Sequence, residues 1–173
     1  MDGLLRRLIT GLAFFSAIAG VGDLRASEPG VFEDREATVA SLLTSYSSIQ
    51  RPLVTDKLEL AVSAANTLVQ LSDGFLSNQP DAAEVQSVKK IHSAASELAR
   101  ATDLDEARVA FIQLSAAVIE IIRSNEQLKT EWQLFFCPMV ANQKGFWVQP
   151  KGERLANPYM GTSMPMCGLK KPW

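Results

Sequence analysis

The stretch Asp103–Ile122, DLDEARVAFIQLSAAVIEII, carries the strongest helical pattern in the chain. Its apolar residues recur at intervals of three and four, the spacing that places side chains on one face of an α-helix. Asp103, with Glu106 three residues later, matches the capping-box pattern that starts a helix. The stretch therefore predicts an amphipathic helix with one face in a core. The apolar face consists of Leu104, Ala107, Phe111, Leu114, Val118, Ile121 and Ile122.

Three segments upstream show the same periodicity. The first predicted helix is Glu36–Gln50, which Pro52 ends or interrupts. The other two follow repeats of the capping pattern, Asp56 with Glu59 and Asp81 with Glu84. No stretch before Trp132 alternates with the period of a strand. The predicted fold class is therefore all-α: an antiparallel four-helix bundle followed by an irregular Cys/Met/Pro-rich C-terminal tail packed on it.

The N-terminus has the layout of a secretory signal peptide. Arg6 and Arg7 precede the apolar run Leu8–Ser16, and the small-residue sequence Ala17-Ile18-Ala19 follows. The run is short for a membrane span, so no span is expected in the mature chain. We therefore expect an exported, periplasmic protein. The predicted segments are a signal peptide at 1–26, a linker at 27–35, and a helical-bundle domain at 36–173 that includes the tail at about 132–173.

Charge is unevenly distributed along the chain. From Ser27 to Phe136, 16 acidic residues face 9 basic ones, whereas the part from Cys137 onward has 5 basic residues and a single acidic one. The basic residues are few and scattered, which argues against nucleic acid as a partner. An acidic body and a basic tail either favour docking of one on the other or form two independently solvated surfaces.

The tail from Phe136 to Gly168 concentrates the sulfur of the chain. It holds both cysteines and four of the five methionines, arranged around prolines as Cys-Pro-Met and Met-Pro-Met-Cys. Thiolate and thioether sulfur favours soft ions, Cu(I) above all, over Mg²⁺ or Ca²⁺. Zinc would need more Cys or His ligands. The predicted metal ligands are Cys137, Met139, Met160, Met164, Met166, Cys167 and, from the third helix, His92.

Each of these residues also has a structural interpretation. Two cysteines in an oxidising compartment commonly pair, and a Cys137–Cys167 disulfide would stabilise the tail by roughly 3–4 kcal/mol. His92 lies on the apolar arc of its helix, where histidine is usually a hydrogen-bonded core residue. Arg108 is either a surface ion pair or a strut that holds the tail. Trp147 is predicted to anchor the tail on the bundle.

Catalysis is not predicted. The sequence has no Cys-x-x-Cys redox pair, no Gly-rich phosphate loop, and no histidine close in sequence to a candidate nucleophile. Two functions stay open: periplasmic binding of a soft metal ion for buffering, delivery or sensing, and a disulfide-stapled protein-interaction module of the cell envelope.

The spacing of the tail resembles a known family. It reads Cys137-Pro138-Met139, then Trp147-x-Gln149, then Asn157-Pro158-Tyr159-x-Gly161-x-x-Met164-x-x-Cys167-Gly168. This order is similar to that of a bacterial family of exported helical domains without assigned function, found alone or fused to periplasmic heavy-metal efflux adaptor subunits. The resemblance covers about Glu36 to Gly168. It implies a periplasmic role around copper or related metals, with an efflux or envelope protein as partner and with Cys137, Met139, Met164 and Cys167 as candidate ligands.

Overall fold

Helices form most of the structure, and a small sheet follows them. The computed structural model describes residues 29–78, 83–140 and 145–173; the predicted signal peptide lies outside these residues. The helices are α1 Pro29–Val54, α2 Leu58–Asn78, α3 Val85–Leu98, α4 Leu104–Arg123 and α5 Glu126–Glu131. The strands are β1 Trp132–Phe136, β2 Phe146–Pro150 and β3 Leu169–Lys171, with a 3₁₀ turn at Gly161–Ser163. Among the described helices, none is both long and apolar enough to cross a membrane.

The first helix is longer than its apolar periodicity predicts. It begins at Pro29, where a missing N–H costs nothing because the first-turn donors have no helical partner. It continues two residues beyond Pro52. The Pro52 carbonyl then accepts the N–H groups of Thr55 and Lys57, both at 3.0 Å, and this closes the helix end. Pro52 therefore lies in the last turn of α1 and does not mark its boundary.

The four long helices pack in chain order, α1 on α2, α2 on α3, and α3 on α4. The predicted packing of four amphipathic helices is confirmed. Each helix contributes its apolar stripe to one core, in which the largest helical side chains are fully buried. These buried side chains are Leu42, Tyr46, Ile49, Leu53, Leu68, Phe75, Ile91, Leu98, Phe111 and Leu114.

Capping is as predicted at α4 but different at α2. Asp103 accepts the Glu106 N–H at 2.8 Å, and Glu106 in turn accepts the Thr102 N–H at 2.8 Å. Asp56, predicted to cap α2, instead has a positive φ of 55° and turns its carboxylate toward α4 and the tail. The capping prediction for Asp56 is wrong. At α3 the cap is Glu84, which makes no side-chain capping bond, and Asp81 lies outside the described residues.

The all-α prediction is wrong in one respect, because part of the tail is a three-stranded antiparallel sheet. Its strand order is β2-β1-β3, so the central strand is the first in sequence. Phe135 lies opposite Trp147 on one side and Lys170 on the other. Three of the five residues of β1 are buried in a pattern that does not alternate, because both faces are partly covered. An apolar run of this kind cannot be assigned to a strand by periodicity.

The sheet packs on α4 and is hydrogen-bonded to α1. β2 packs on α4. The hydroxyl of Tyr46, on α1, lies 2.9 Å from the Ser115 hydroxyl on α4 and accepts the Val148 N–H of β2 at 3.3 Å. Burial raises the pKa of Tyr46 well above its ordinary value, so this hydroxyl keeps its proton and stays a hydrogen-bonding group. One buried polar cluster thus joins α1, α4 and β2.

Candidate functional site

The two sulfur-rich segments form matching proline turns. In the first, the Val140 N–H donates to the Cys137 carbonyl at 3.5 Å; in the second, the Cys167 N–H donates to the Met164 carbonyl at 3.1 Å. Each turn has proline at its second position, where a φ near −65° is required. Each also has methionine at its third position, Met139 in one and Met166 in the other. The prolines therefore fix the two backbones that carry the thiols.

The fold brings both thiols together. Cys137 directly follows β1, and Cys167 lies two residues before β3, which pairs with the same strand. Their Sγ atoms are 3.9 Å apart. Cys137 is fully buried, whereas Cys167 is half-buried at the surface of the core. The fold therefore places the two thiols, 30 residues apart in sequence, in direct contact.

The surroundings of the thiols are largely apolar. Burial, and then the neighbouring Cys137, raise the pKa of the Cys167 thiol above its ordinary value. The Cys167 thiol is therefore protonated at neutral pH, and a metal that binds it must displace a proton. On the other side of Cys137, a Cβ at Gly145 would lie 2.6 Å from the Cys137 carbonyl oxygen. Only glycine allows β2 to approach this closely.

The methionines divide into two groups. Met139, Met164 and Met166 expose 62%, 39% and 46% of their surface, which is unusual for large apolar residues. Met160 instead packs against the hydrophobic core. Three thioethers are thus accessible on the proline turns that carry the thiols. The structure gives Met160 a packing role.

His92 contacts the bundle. Its Nε2 lies 3.0 Å from Oδ1 of Asp73 on α2, at the surface where α2 and α3 pack. Across the described residues, no three His, Cys, Asp or Glu side chains are grouped in a way that could hold a metal ion. Three of the predicted ligands are not methionines. The structure brings Cys137 and Cys167 together, whereas His92 is paired with Asp73.

Asn157 organises the Cys167 turn and was not singled out from the sequence as a functional residue. Its side-chain N–H group donates to the Cys167 carbonyl, and its own backbone N–H donates to the Pro165 carbonyl at 2.8 Å. Its side-chain oxygen accepts the N–H groups of Tyr159 and Met160 at 2.8 and 3.2 Å. Asn157 is completely buried. The Asn-Pro sequence predicts a turn, but only the fold shows that this turn supports a thiol.

A group of hydrogen bonds among Arg108, Asp56 and Thr162, here called the tie, attaches the tail to the bundle. Arg108 of α4 donates through Nε to the Pro158 carbonyl at 3.1 Å and through Nη2 to the Leu53 carbonyl at 3.3 Å. Its Nη2 also pairs with the Asp56 carboxylate. The other oxygen of Asp56 accepts the Thr162 N–H at 3.0 Å and the Thr162 hydroxyl proton. Arg108 is therefore the strut considered above, and the interpretation as a surface pair is wrong.

Because of the tie, the stability of the fold depends on the protonation of Asp56. Hydrogen bonds from Thr162, and then the Arg108 guanidinium, hold the pKa of Asp56 below its ordinary value. A depressed folded-state pKa stabilises the fold above the unfolded value of about 3.9, and this stability is lost as the pH falls through the folded pKa. We expect Asp56→Asn to lower the free energy of unfolding by roughly 1–2 kcal/mol at neutral pH. Urea titrations between about pH 2.5 and 6 should show a shallower acid loss than in the wild type.

Asp105→Asn is the matched control, because Asp105 is an exposed carboxylate in the first turn of α4. Its acid profile should follow the wild type. Some acid loss will persist in Asp56→Asn, since hydrogen bonds from Lys90 and Ser87 also lower the pKa of Glu120. Identical profiles for Asp56→Asn and the wild type would contradict the role given to the tie.

Aromatic rings seal the tail against the bundle. Tyr46 stacks on Phe111 at 5.1 Å, and Trp147 stacks on Phe135 at 5.3 Å. Tyr159 lies 5.9 Å from both Phe111 and Trp147 and joins the two pairs. Trp147 is completely buried and its ring packs on Phe135 and Tyr159 of the tail, so its role as an anchor on the bundle stays a prediction. The Trp147 indole also donates to the buried Gln149 amide at 3.1 Å, which explains the Trp-x-Gln spacing.

Comparison with known proteins assigns the helical part of the chain only. A family model described as "Protein of unknown function (DUF3347)" matches residues 42–130. The match extends from α1 to α5 and ends before β1. No curated protein and no solved structure matches the chain. The thiol pair and its proline turns lie beyond the matched segment.

Proposed function

We propose that this chain, which belongs to the DUF3347 family, is a periplasmic protein that binds a soft metal ion, Cu(I), between Cys137 and Cys167. The family has no assigned function, so the proposal depends on the thiol pair. Buffering, delivery or sensing of the ion near an efflux system is the role we assign to it. The tail motif and the fusion to efflux adaptors remain expectations from the resemblance.

The observation that carries the proposal is the 3.9 Å separation of the two Sγ atoms. Two metal–sulfur bonds of about 2.3 Å, the length found at zinc, span roughly 3.8 Å at a tetrahedral angle and about 4.6 Å when they are in line. The pair is therefore already spaced for a single bridging ion. Because the proline turns fix both backbones, little conformational entropy is lost when the ion binds.

The chemistry of the available ligands favours a soft monovalent ion. Zinc sites normally use four Cys or His ligands, and the described residues offer no group of three such side chains or carboxylates. Thioethers, in contrast, are accessible on both turns. Two thiolates supplemented by thioether sulfur suit Cu(I).

The direct test is a titration of the reduced chain with Cu(I) in the absence of oxygen. One ion should bind per chain, and both thiols should then become unreactive toward a thiol reagent. Uptake of no copper by fully reduced protein would refute the proposal. Uptake that leaves both thiols reactive would place the metal elsewhere.

The exposed methionines should tune the affinity without controlling the fold. We expect the double change Met139→Leu and Met166→Leu to weaken Cu(I) binding by about tenfold, because thioethers supplement the thiolates but do not replace them. Met160→Leu is the matched control: it removes the same sulfur atom from a side chain that packs on the core. Competition titrations against a coloured Cu(I) chelator give both affinities. Equal affinities for the double variant and the control would remove the turn methionines from the site.

A disulfide-stapled interaction module is the second candidate. Met139, Met166 and Leu169 are exposed large apolar side chains of the tail, and Leu169 exposes 53% of its surface. Such residues contribute to binding surfaces for other proteins. This candidate predicts that the chain purified without reductant has no titratable thiol and takes up no copper after reduction.

A further inference from the structure

The two thiols differ in their access to solvent. Cys137 is completely buried, whereas Cys167 is partly exposed and is flanked by the exposed Met166. Part of Cys167 is therefore open to an external disulfide, whereas Cys137 is closed to it. Thiol–disulfide exchange requires contact between the attacking sulfur and the disulfide, so access determines which cysteine reacts first.

We infer that the pair exchanges with low-molecular-weight disulfides, with Cys167 as the entering thiol and Cys137 as the resolving thiol. Oxidation then competes with the metal ion for the same two sulfurs. The exchange itself needs only the thiol geometry. The competition rests on the proposed metal binding.

The reaction balances in two steps. The Cys167 thiol loses a proton and its sulfur attacks the external disulfide RS–SR, which forms Cys167–S–S–R and releases one RS⁻. The Cys137 thiol then loses its proton, and its sulfur attacks the Cys167 sulfur and releases the second RS⁻. The chain gives up two electrons and two protons, and the external disulfide becomes two thiols.

The geometry supports the second step. The Cys137 sulfur lies 3.9 Å from the sulfur that it must attack. A disulfide requires about 2.05 Å between the sulfurs, so closure needs a combined movement of roughly 2 Å. Cys137 and Cys167 both lie just beyond the β1–β3 ladder, which ends at Phe136 opposite Leu169. Closure therefore need not break the pairing between β1 and β3.

Metal and disulfide exclude each other on this arrangement. A bridging ion would use an electron pair from each sulfur and keep the two apart, whereas a disulfide joins the same atoms directly at about 2.05 Å. Oxidation by an external disulfide would release the ion, and occupancy by the ion would protect the pair. The tail would then couple metal release to the thiol–disulfide balance of its compartment.

The test uses glutathione disulfide and the reduced, metal-free full-length chain, followed by mass spectrometry. Cys137→Ser should accumulate one glutathione adduct on Cys167, and Cys167→Ser should form its adduct at least tenfold more slowly. The wild type should lose two hydrogens and retain no adduct. In 8 M urea both variants should react at the same rate, which corrects for intrinsic reactivity. Equal rates for the two variants in the native state, with native circular dichroism, would overturn the assigned order.

A second arm tests the competition with Ag(I), a soft ion that does not change oxidation state under these conditions. Chain loaded with one Ag(I) should resist glutathione disulfide at least tenfold longer than metal-free chain. Equal rates of oxidation would overturn the competition. Metal uptake without any exchange would refute this inference and leave the proposed function intact, whereas exchange without metal uptake would do the reverse.

Discussion

Replacing Cys137 or Cys167 by serine is expected to lower the affinity for Cu(I) by at least about a hundredfold, because a hydroxyl is a hard ligand that suits a soft ion poorly. Each variant keeps one thiol, but the chelate is lost. In the wild type the second sulfur is held 3.9 Å from the first, so the second bond forms at high effective concentration. Competition titrations under reducing conditions measure the loss, and the double variant should show no stoichiometric binding.

The two single variants control for each other, because they differ in burial. Serine at the buried position 137 places a hydroxyl in an apolar site, at an expected cost of about 1–3 kcal/mol in stability. Cys137→Ala avoids that cost, and Cys167→Ser affects a half-buried residue. If copper affinity falls in all three variants while their urea midpoints differ, the loss reflects ligation. Wild-type affinity in Cys167→Ser or Cys137→Ala would show that the pair does not chelate the ion.

The sequence predicts the helical bundle well because its signal is local and periodic. In α4, the stripe from Leu104 to Ile122 follows a helical period, and Asp103 caps the helix as expected. The same reasoning finds four helices that pack together. Their ends are less accurate, since Pro29 and Pro52 are both tolerated inside α1, near its two ends.

The tail is predicted only in part because its order depends on contacts distant in sequence. The strand β1 is covered on both faces, so WQLFF shows no alternation. Asp56 fits a capping pattern equally well, and nothing local shows that Arg108 and Thr162, 52 and 106 residues away, take its carboxylate. The composition and spacing of the tail do predict that the cysteines matter, and the fold shows that they meet.

The tie and the thiol pair are parts of one connected structure. Arg108 binds the Pro158 carbonyl, and the neighbouring Asn157 donates to the Cys167 carbonyl. The position of the accessible thiol therefore depends on bonds that begin in the bundle. A change at the tie should disturb the thiol site although it removes no sulfur.

Gly161→Ala is the change expected to show this most strongly. Gly161 has a φ of +53°, and a Cβ there would overlap the Asp56 carboxylate and the Arg108 guanidinium. Alanine costs about 1–2 kcal/mol for the left-handed backbone alone. Displacement of the ion pair adds roughly 1–3 kcal/mol for groups left without partners. We expect a total loss of about 3 kcal/mol in urea unfolding, and weaker Cu(I) binding because the Cys167 turn is no longer held.

Substitutions at two other glycines separate the cost of backbone strain from the cost of displacing the ion pair. Gly152 has a φ of +89° with nothing within 4 Å of an added Cβ, so Gly152→Ala should cost only the backbone strain, about 1–2 kcal/mol. Gly74 lies inside α2 with open space around it, so Gly74→Ala should stabilise the chain by roughly 0.5–1 kcal/mol. Neither control should alter copper affinity. If Gly161→Ala costs no more than Gly152→Ala, the contact between the 3₁₀ turn and the Asp56–Arg108 pair does not hold the tail. If it destabilises the chain but leaves copper affinity unchanged, the thiol site is independent of the tie.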